Sequence, residues 1–468
     1  MAWSLALAGC ARGDAGRRVG PARATPRIDA VASADSGAGD GGVDAEPIDS
    51  GAARIDADGD DDPVDVGTGA IPTHGHFVRV GRAPLALTRI CDLTPFAGAL
   101  FAAHANQPLG TDGATISRFD PRDAKRPFSV AFDWNRPGEP ASGGGAGQGF
   151  LRVHAIGSLL FVPDADPPYN GFGLADRGTE GYVFSSDEAG TFAAPRKPHA
   201  RPPASAAVLP RAYHVIDVIR FRGRMIASTG SVPPTERAWH GSSPGALHAA
   251  NADGSRWTYE VDYPFPWQSG VWRLGYLVRF GDRLYAGIQD YDGREPNDYV
   301  VFSPPAGASS IRREDAKAVR VIGTAQTLRW YVDMPPAEEG RERRPPRLFW
   351  IAAARDGVQL RVTADGDTWS IVRLPEDAGR PTDVTRFRDG LVILTERRLL
   401  HLSDRGEIAE IAAVTEKVSP FAWGDIFCAA PLAVLAGDLY AGGQRDGALY
   451  RLEEGFESAA TPRGLVVR

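Results

Sequence analysis

Three pentapeptides share one form: Asp92-Leu-Thr-Pro-Phe96, Asp217-Val-Ile-Arg-Phe221 and Asp383-Val-Thr-Arg-Phe387. A carboxylate recurring at one register of an apolar strand offers three kinds of chemistry. Several together could hold a hard cation through oxygen ligands, accept hydrogen bonds from a polyhydroxylated ligand, or each tie down a neighbouring segment through its backbone N–H groups. Further segments that end in a large apolar residue carry Arg152, Tyr276 and Pro431 at the same offset. Asp92, Arg152, Asp217, Tyr276 and Asp383 are therefore the candidate ligand site, with His214 three residues before Asp217. No organic cofactor is expected, and a structural Ca2+ among the aspartates is the one ion this pattern allows. The tying role competes with the binding role, and a single strand histidine is also an ordinary packed core residue.

Other chemistry-bearing stretches carry less. In "DADGDDDPVD" Asp56, Asp58 and Asp60 alternate as in a calcium loop, but Asp61 and Gly67 stand where an EF-hand needs Gly and Glu. "THGH" supplies His74 and His76 without an identifiable third zinc ligand. The chain has no phosphate loop or His-Glu-x-x-His motif. A glycosidase pair depends on a carboxylate separation that a sequence does not reveal. Two readings follow: a binding or interaction module without catalysis, and, as the alternative, a carbohydrate-active enzyme, hydrolase or lyase, working from the aspartates.

The elements that must position these residues are strands. From about residue 76 short alternating apolar runs are separated by Gly, Pro and Asp, and 54 Gly with 37 Pro favour many turns over long helices. One strand-turn-strand unit recurs as "FAGALFAA", "IGSLLFV", "FRGRMIAS", "FGDRLYAG", "FRDGLVIL" and "LAGDLYAG", with a degenerate copy in "RWYVD" and "RLFWIAA". Seven such units of four strands predict an all-β, seven-bladed β-propeller, with six or eight blades as neighbouring possibilities because the fifth copy is weak. Two stacked sandwiches would leave the recurrence unexplained. The strand "HFVRV", from His76, is expected to close the ring against the last copy.

Three turns add a resemblance. "SSDEAGTF" from Ser185, "NADGSRW" from Asn251 and "TADGDTW" from Thr363 resemble the Asp-box of sialidase-like (BNR-type) propellers, a turn between the third and fourth strands of a blade. The likeness implies that Asp365 accepts backbone N–H bonds, that glycine takes a positive φ, and that Trp369 is an apolar wedge. Asp367, with Ser255 as counterpart, becomes an exposed turn residue. Ala189 stands where Gly is usual and Asn251 replaces the hydroxyl; the family's Arg-Ile-Pro signature is absent, so sialidase chemistry is not implied. In such propellers the innermost strands line a channel, which would put the candidate residues at its mouth. The loops "SVPPTERAWHGSSPG" and "QDYDGREPND" belong on the same face. Trp257, Tyr259, Tyr263, Phe265, Trp267 and Trp272 could stack on sugars or pack between blades, and "AEEGRERRPPR" reads as a solvated hairpin tip.

The first residues, "MAWSLALAGC", end in Leu-Ala-Gly-Cys and resemble the lipobox of bacterial lipoproteins, although no Lys or Arg precedes the apolar run. That resemblance implies lipidation of Cys10, a membrane held through the lipid, and a cell-envelope location, outer membrane or periplasm. Residues 11–70 hold no aromatic residue and eleven Asp between Asp29 and Asp65, the composition of a disordered linker. Residues 71–468 form the propeller domain. A net charge of -7 argues against nucleic acid as a partner; a glycan or protein ligand and a monomer are expected. Cys91 and Cys428 fall just before the inner strands of the first and last blades, neighbours in a closed ring. They are either a disulfide or two buried thiols.

Overall fold

In the computed structural model the described residues are 66–84, 89–105, 114–134, 149–165, 180–192, 206–232, 244–251, 254–265, 270–290, 293–335, 344–415 and 428–454. Cys10, residues 11–65 of the expected linker, Trp267, and most of the loop from Ser231 and of the charged insertion lie outside them. Among the described residues the architecture is seven four-stranded antiparallel sheets, a seven-bladed β-propeller. Blades 1 to 6 are meanders over residues 90–133, 154–210, 212–263, 272–319, 326–371 and 381–413. Blade 7 joins Leu432–Leu435, Asp438–Gly442 and Ala448–Glu454 to the early strand Gly75–Arg82, which runs antiparallel to Ala448–Glu454. The ring thus closes as expected, and the degenerate fifth copy is a full blade whose strands Gln326–Asp333 and Arg347–Ala354 pair.

The second strand of a blade departs from the alternation expected of a half-buried strand. Ala99–His104 and Gly390–Thr395 are buried along their whole length, because blades stack face to face and each covers its neighbour. Large rings fill the interfaces. Phe132, Phe150, Phe184 and Phe192 join blades 1 and 2, and Tyr285, Tyr299, Trp330, Trp350 and Trp369 join blades 4 and 5.

Because consecutive strands are antiparallel, first-to-second and third-to-fourth strand turns share one face of the ring. In "TADGDTW" Asp365 Oδ1 accepts the Asp367 and Thr368 amides at 2.8 and 2.7 Å, and Thr363 Oγ1 accepts the Gly366 amide at 2.9 Å. In "SSDEAGTF" Asp187 Oδ1 accepts the Ala189 and Thr191 amides at 3.0 and 2.7 Å. Here the positive φ falls on Gly190, at 78°, one residue after the expected position at Ala189. In "NADGSRW" the acceptor is Asn251 Oδ1, 3.1 Å from the Arg256 amide. A fourth turn of this kind, Ser403 to Glu407 in blade 6, repeats the backbone pattern of the Asp187 turn: Gly406 donates to the carbonyl of Ser403 and Ser403 to that of Glu407.

Each of the three glycines presses on the preceding blade. A Cβ on Gly190, Gly254 or Gly366 would stand 2.4, 3.0 or 2.1 Å from Phe101, Phe161 or Tyr285. Those rings occupy the third position of Ala99–His104, Leu159–Pro163 and Arg283–Asp290 (counting Ala99, Leu159 and Arg283 as first). Asp367 is exposed, as expected, but is not idle: Arg283 of blade 4 donates to both of its carboxylate oxygens at 3.0 Å. The charged insertion likewise has a docked stem, with Arg344 and Arg347 paired to Asp404 of blade 6.

Residues 66–71 lie on the same turn face. The carbonyls of Val66 and Ala70 accept from the Arg388 amide and guanidinium, and the Ile71 amide donates to Asp389. Cys91 and Cys428 form a disulfide between blades 1 and 7, with Cα atoms 4.5 Å apart.

Candidate functional site

The inner strands carry a β-bulge where the candidate residues sit. Register shifts fall between Ile90 and Asp92, Val215 and Asp217, Leu274 and Leu277, Thr327 and Arg329, and Pro381 and Asp383. A bulge takes one residue out of the ladder and re-aims the next side chain. At Asp92, Asp217 and Asp383 the residue after the bulge is a carboxylate that accepts a backbone N–H of the next blade. Asp92 accepts the Val153 amide at 3.1 Å, Asp217 the Leu277 amide at 2.8 Å, and Asp383 the Leu432 amide at 2.7 Å. In all three cases the donor is the residue after the aligned position of the next blade: Arg152, Tyr276 and Pro431. The repeated aspartates are therefore rivets between adjacent inner strands.

Their side chains also converge. Arg152 reaches Asp92 at 3.3 Å and Asp217 at 3.9 Å while its guanidinium lies over the Tyr276 ring, 4.6 Å from the centroid. Arg329, which the repeat alignment did not pick out, donates to Asp92 at 2.9 Å and to the Cys91 carbonyl at 3.2 Å, and stands 3.5 Å from Asp383. Blades 5 and 1 are not adjacent, so Arg329 is a strut across the channel. Arg329 lies four residues before Asp333, the end of its strand, so it holds the same register as Asp92. It escaped because that strand ends on an aspartate instead of a large apolar residue. Asp333 is itself fully buried between Arg347 and Arg386.

Burial and ion pairing oppose each other throughout. For Asp217 burial works against the charge, but His154, Arg152 and the Leu277 amide outweigh it and hold the carboxyl below its ordinary range. For Asp383 burial wins over Arg329 and two amides, and the carboxyl is pushed up. Burial also opposes the charge on Arg152, yet Asp92, Asp217, Tyr276 and Asp383 together raise it. The two guanidiniums occupy the space between the three carboxylates. Among the described residues no group of three or more His, Cys, Asp or Glu side chains is arranged to hold a metal ion.

His214 does not join the network. It is buried with Nδ1 2.6 Å from the Ala165 carbonyl, and burial holds it well below the ordinary imidazole range. The histidine that does join is His154, two residues after Arg152, with Nε2 2.6 Å from Asp217 Oδ1. Its side chain is 23% exposed whereas Asp217 is fully buried, so it is the most open group of the set. A buried carboxylate holding Nε2–H leaves Nδ1 as the basic nitrogen. Of the aromatic run, Trp257 and Trp272 are buried, Tyr259 and Tyr263 donate to Asp262 and Glu295, and Phe265 is exposed.

No protein-family model matches the sequence, and no curated protein does. Solved structures do resemble the fold. A streptogramin B lyase covers 82% of this chain and 100% of its own at 10% identity, TM-score 0.47. Virginiamycin B lyase from Staphylococcus aureus covers 81% and 99% at 8% identity, TM-score 0.48. The β-propeller domain of the Trilobed protease from Pyrococcus furiosus covers 82% and 95% at 8% identity, TM-score 0.40. The likeness is one of fold: this chain is similar to other β-propellers.

Proposed function

We propose that this chain is a β-propeller of the Asp-box type, held at a bacterial cell envelope through lipid on Cys10, and that it acts as a binding or interaction module without catalysis. The observation that carries the non-catalytic reading is the use of the channel carboxylates. Asp92, Asp217 and Asp383 each accept a backbone amide of the next blade and face a guanidinium or an imidazole side chain. Carboxylates so engaged serve the ring, and ligand contacts fall to its surfaces. The test has two parts. Radiolabelled fatty acid should enter the full chain in a bacterial host and be lost in Cys10→Ala. A glycan array followed by product analysis should show binding without turnover; cleavage of any bound glycan overturns the non-catalytic reading.

One observation favours the alternative, a carbohydrate-active enzyme of the lyase or hydrolase kind. His154 is half-open in the channel and oriented by a buried carboxylate, the arrangement of a general base. Turnover abolished in His154→Ala would establish that reading.

A further inference from the structure

Away from the channel, the outer strand of blade 3, Trp257–Tyr263, and the third-to-fourth strand connection of blade 4 enclose an open cleft of about 600 Å³. Its lining includes Thr258, Glu260, Asp262, Arg312, Arg313 and Glu314. Three carboxylates here meet three guanidiniums. Arg224 grips Glu260 at 2.8 and 3.4 Å, Arg313 reaches Asp262 at 3.0 Å, and Arg312 stands 3.6 Å from Glu314. Tyr259 adds a hydroxyl donor to Asp262 at 3.0 Å. The cleft is therefore dense in planar donors and acceptors yet balanced in charge.

Beside it stands Phe265, which is 57% exposed, more than any other large hydrophobic side chain among the described residues. The Arg313 guanidinium lies over its ring at 3.6 Å from the centroid. That stack fixes the ring and leaves its other side to solvent. An exposed aromatic face next to paired carboxylates and guanidiniums meets the two demands of a sugar. The ring takes the C–H face, and the polar planes exchange bonds with hydroxyls that both donate and accept. A charged ligand fits less well, since an anion faces three carboxylates and a cation three guanidiniums.

We infer that this cleft is a subsite for a neutral oligosaccharide, with Phe265 as its stacking platform and Arg313, held by the buried Asp262, as its polar contact. The inference deepens the binding-module reading and rests on it. The test is calorimetric titration of the full chain with neutral cello-, malto-, xylo-, manno- and chito-oligosaccharides, and with oligogalacturonate as an anionic comparison. A neutral series should bind, Phe265→Ala and Arg313→Lys should each weaken it by about tenfold or more, and Ile371→Ala, an exposed apolar residue of blade 5, should not. An unchanged melting temperature in Phe265→Ala separates lost contact from lost fold. Preference for oligogalacturonate, or no neutral binding, overturns the subsite. A neutral glycan whose affinity ignores both cleft variants also overturns it while leaving the binding-module reading intact.

Discussion

Replacing Arg329 with methionine is expected to lower stability by about 3–5 kcal/mol, because Asp92 keeps only the longer Arg152 contact and the Val153 amide, and Asp383 loses its cation. Urea unfolding of the variant checks this; a change below about 1 kcal/mol would mean that the strut carries little. Titration gives a second expectation. Burial lowers His104 and His248 to about 4, although carbonyls of Arg89 and Pro210 support their rings. Between that value and about 6.5 the unfolded chain binds protons that the folded chain refuses, so stability falls with acidification. From pH 7.5 to 5 the loss is about 2 kcal/mol for each histidine. Asp217, held low, acts in the same direction at lower pH, while the raised Asp383 opposes it. Urea midpoints at the two pH values measure the slope, and His104→Gln should flatten it. At this scale the aspartates were legible because three strands share Asp-x-x-x-Phe. Arg329 and His154 were not, because what defines them is a partner 237 or 63 residues away.

Turns legible from three imperfect copies prove to be contacts between blades. What the sequence could show was the acceptor and the glycine; what it could not show was the aromatic ring of the previous blade against which the glycine closes. Gly366→Ala meets both a positive φ of 77° and the Tyr285 hydroxyl, and should destabilise by about 2–3 kcal/mol. Differential scanning calorimetry reads this, and Gly406→Ala is the informative comparison. Gly406 has the same kind of φ, 81°, but nothing within reach of a Cβ, so only the backbone strain of about 1 kcal/mol should remain. The connection from blade 4 to blade 5 depends on one buried carboxylate, Asp298, which accepts the amides of Val321, Ile322, Gly323 and Ala325. Asp298→Ala leaves four amides without that acceptor and should cost about 3–5 kcal/mol, with proteolysis beginning in this connection.

The ring is held shut twice, by the strand Gly75–Arg82 on Ala448–Glu454 and by the disulfide between residues 337 apart. Cys91→Ser with Cys428→Ser should lower stability by about 2–5 kcal/mol without opening the ring, seen as a lower urea midpoint with an unchanged far-ultraviolet spectrum. Blade number and closure were legible from the recurring hairpin. The seventh blade shows why the count was open, since its fourth strand is supplied from the far end of the sequence. Gly75 and Glu454 are register partners at the edge of that blade, so the gap between them is the length of an ordinary hairpin. A short Asn-Gly link across it would turn the seventh blade into a continuous meander like the other six. The order of blades in the gene would then be free to rotate: a circular permutant starting between any two blades should fold to the same ring.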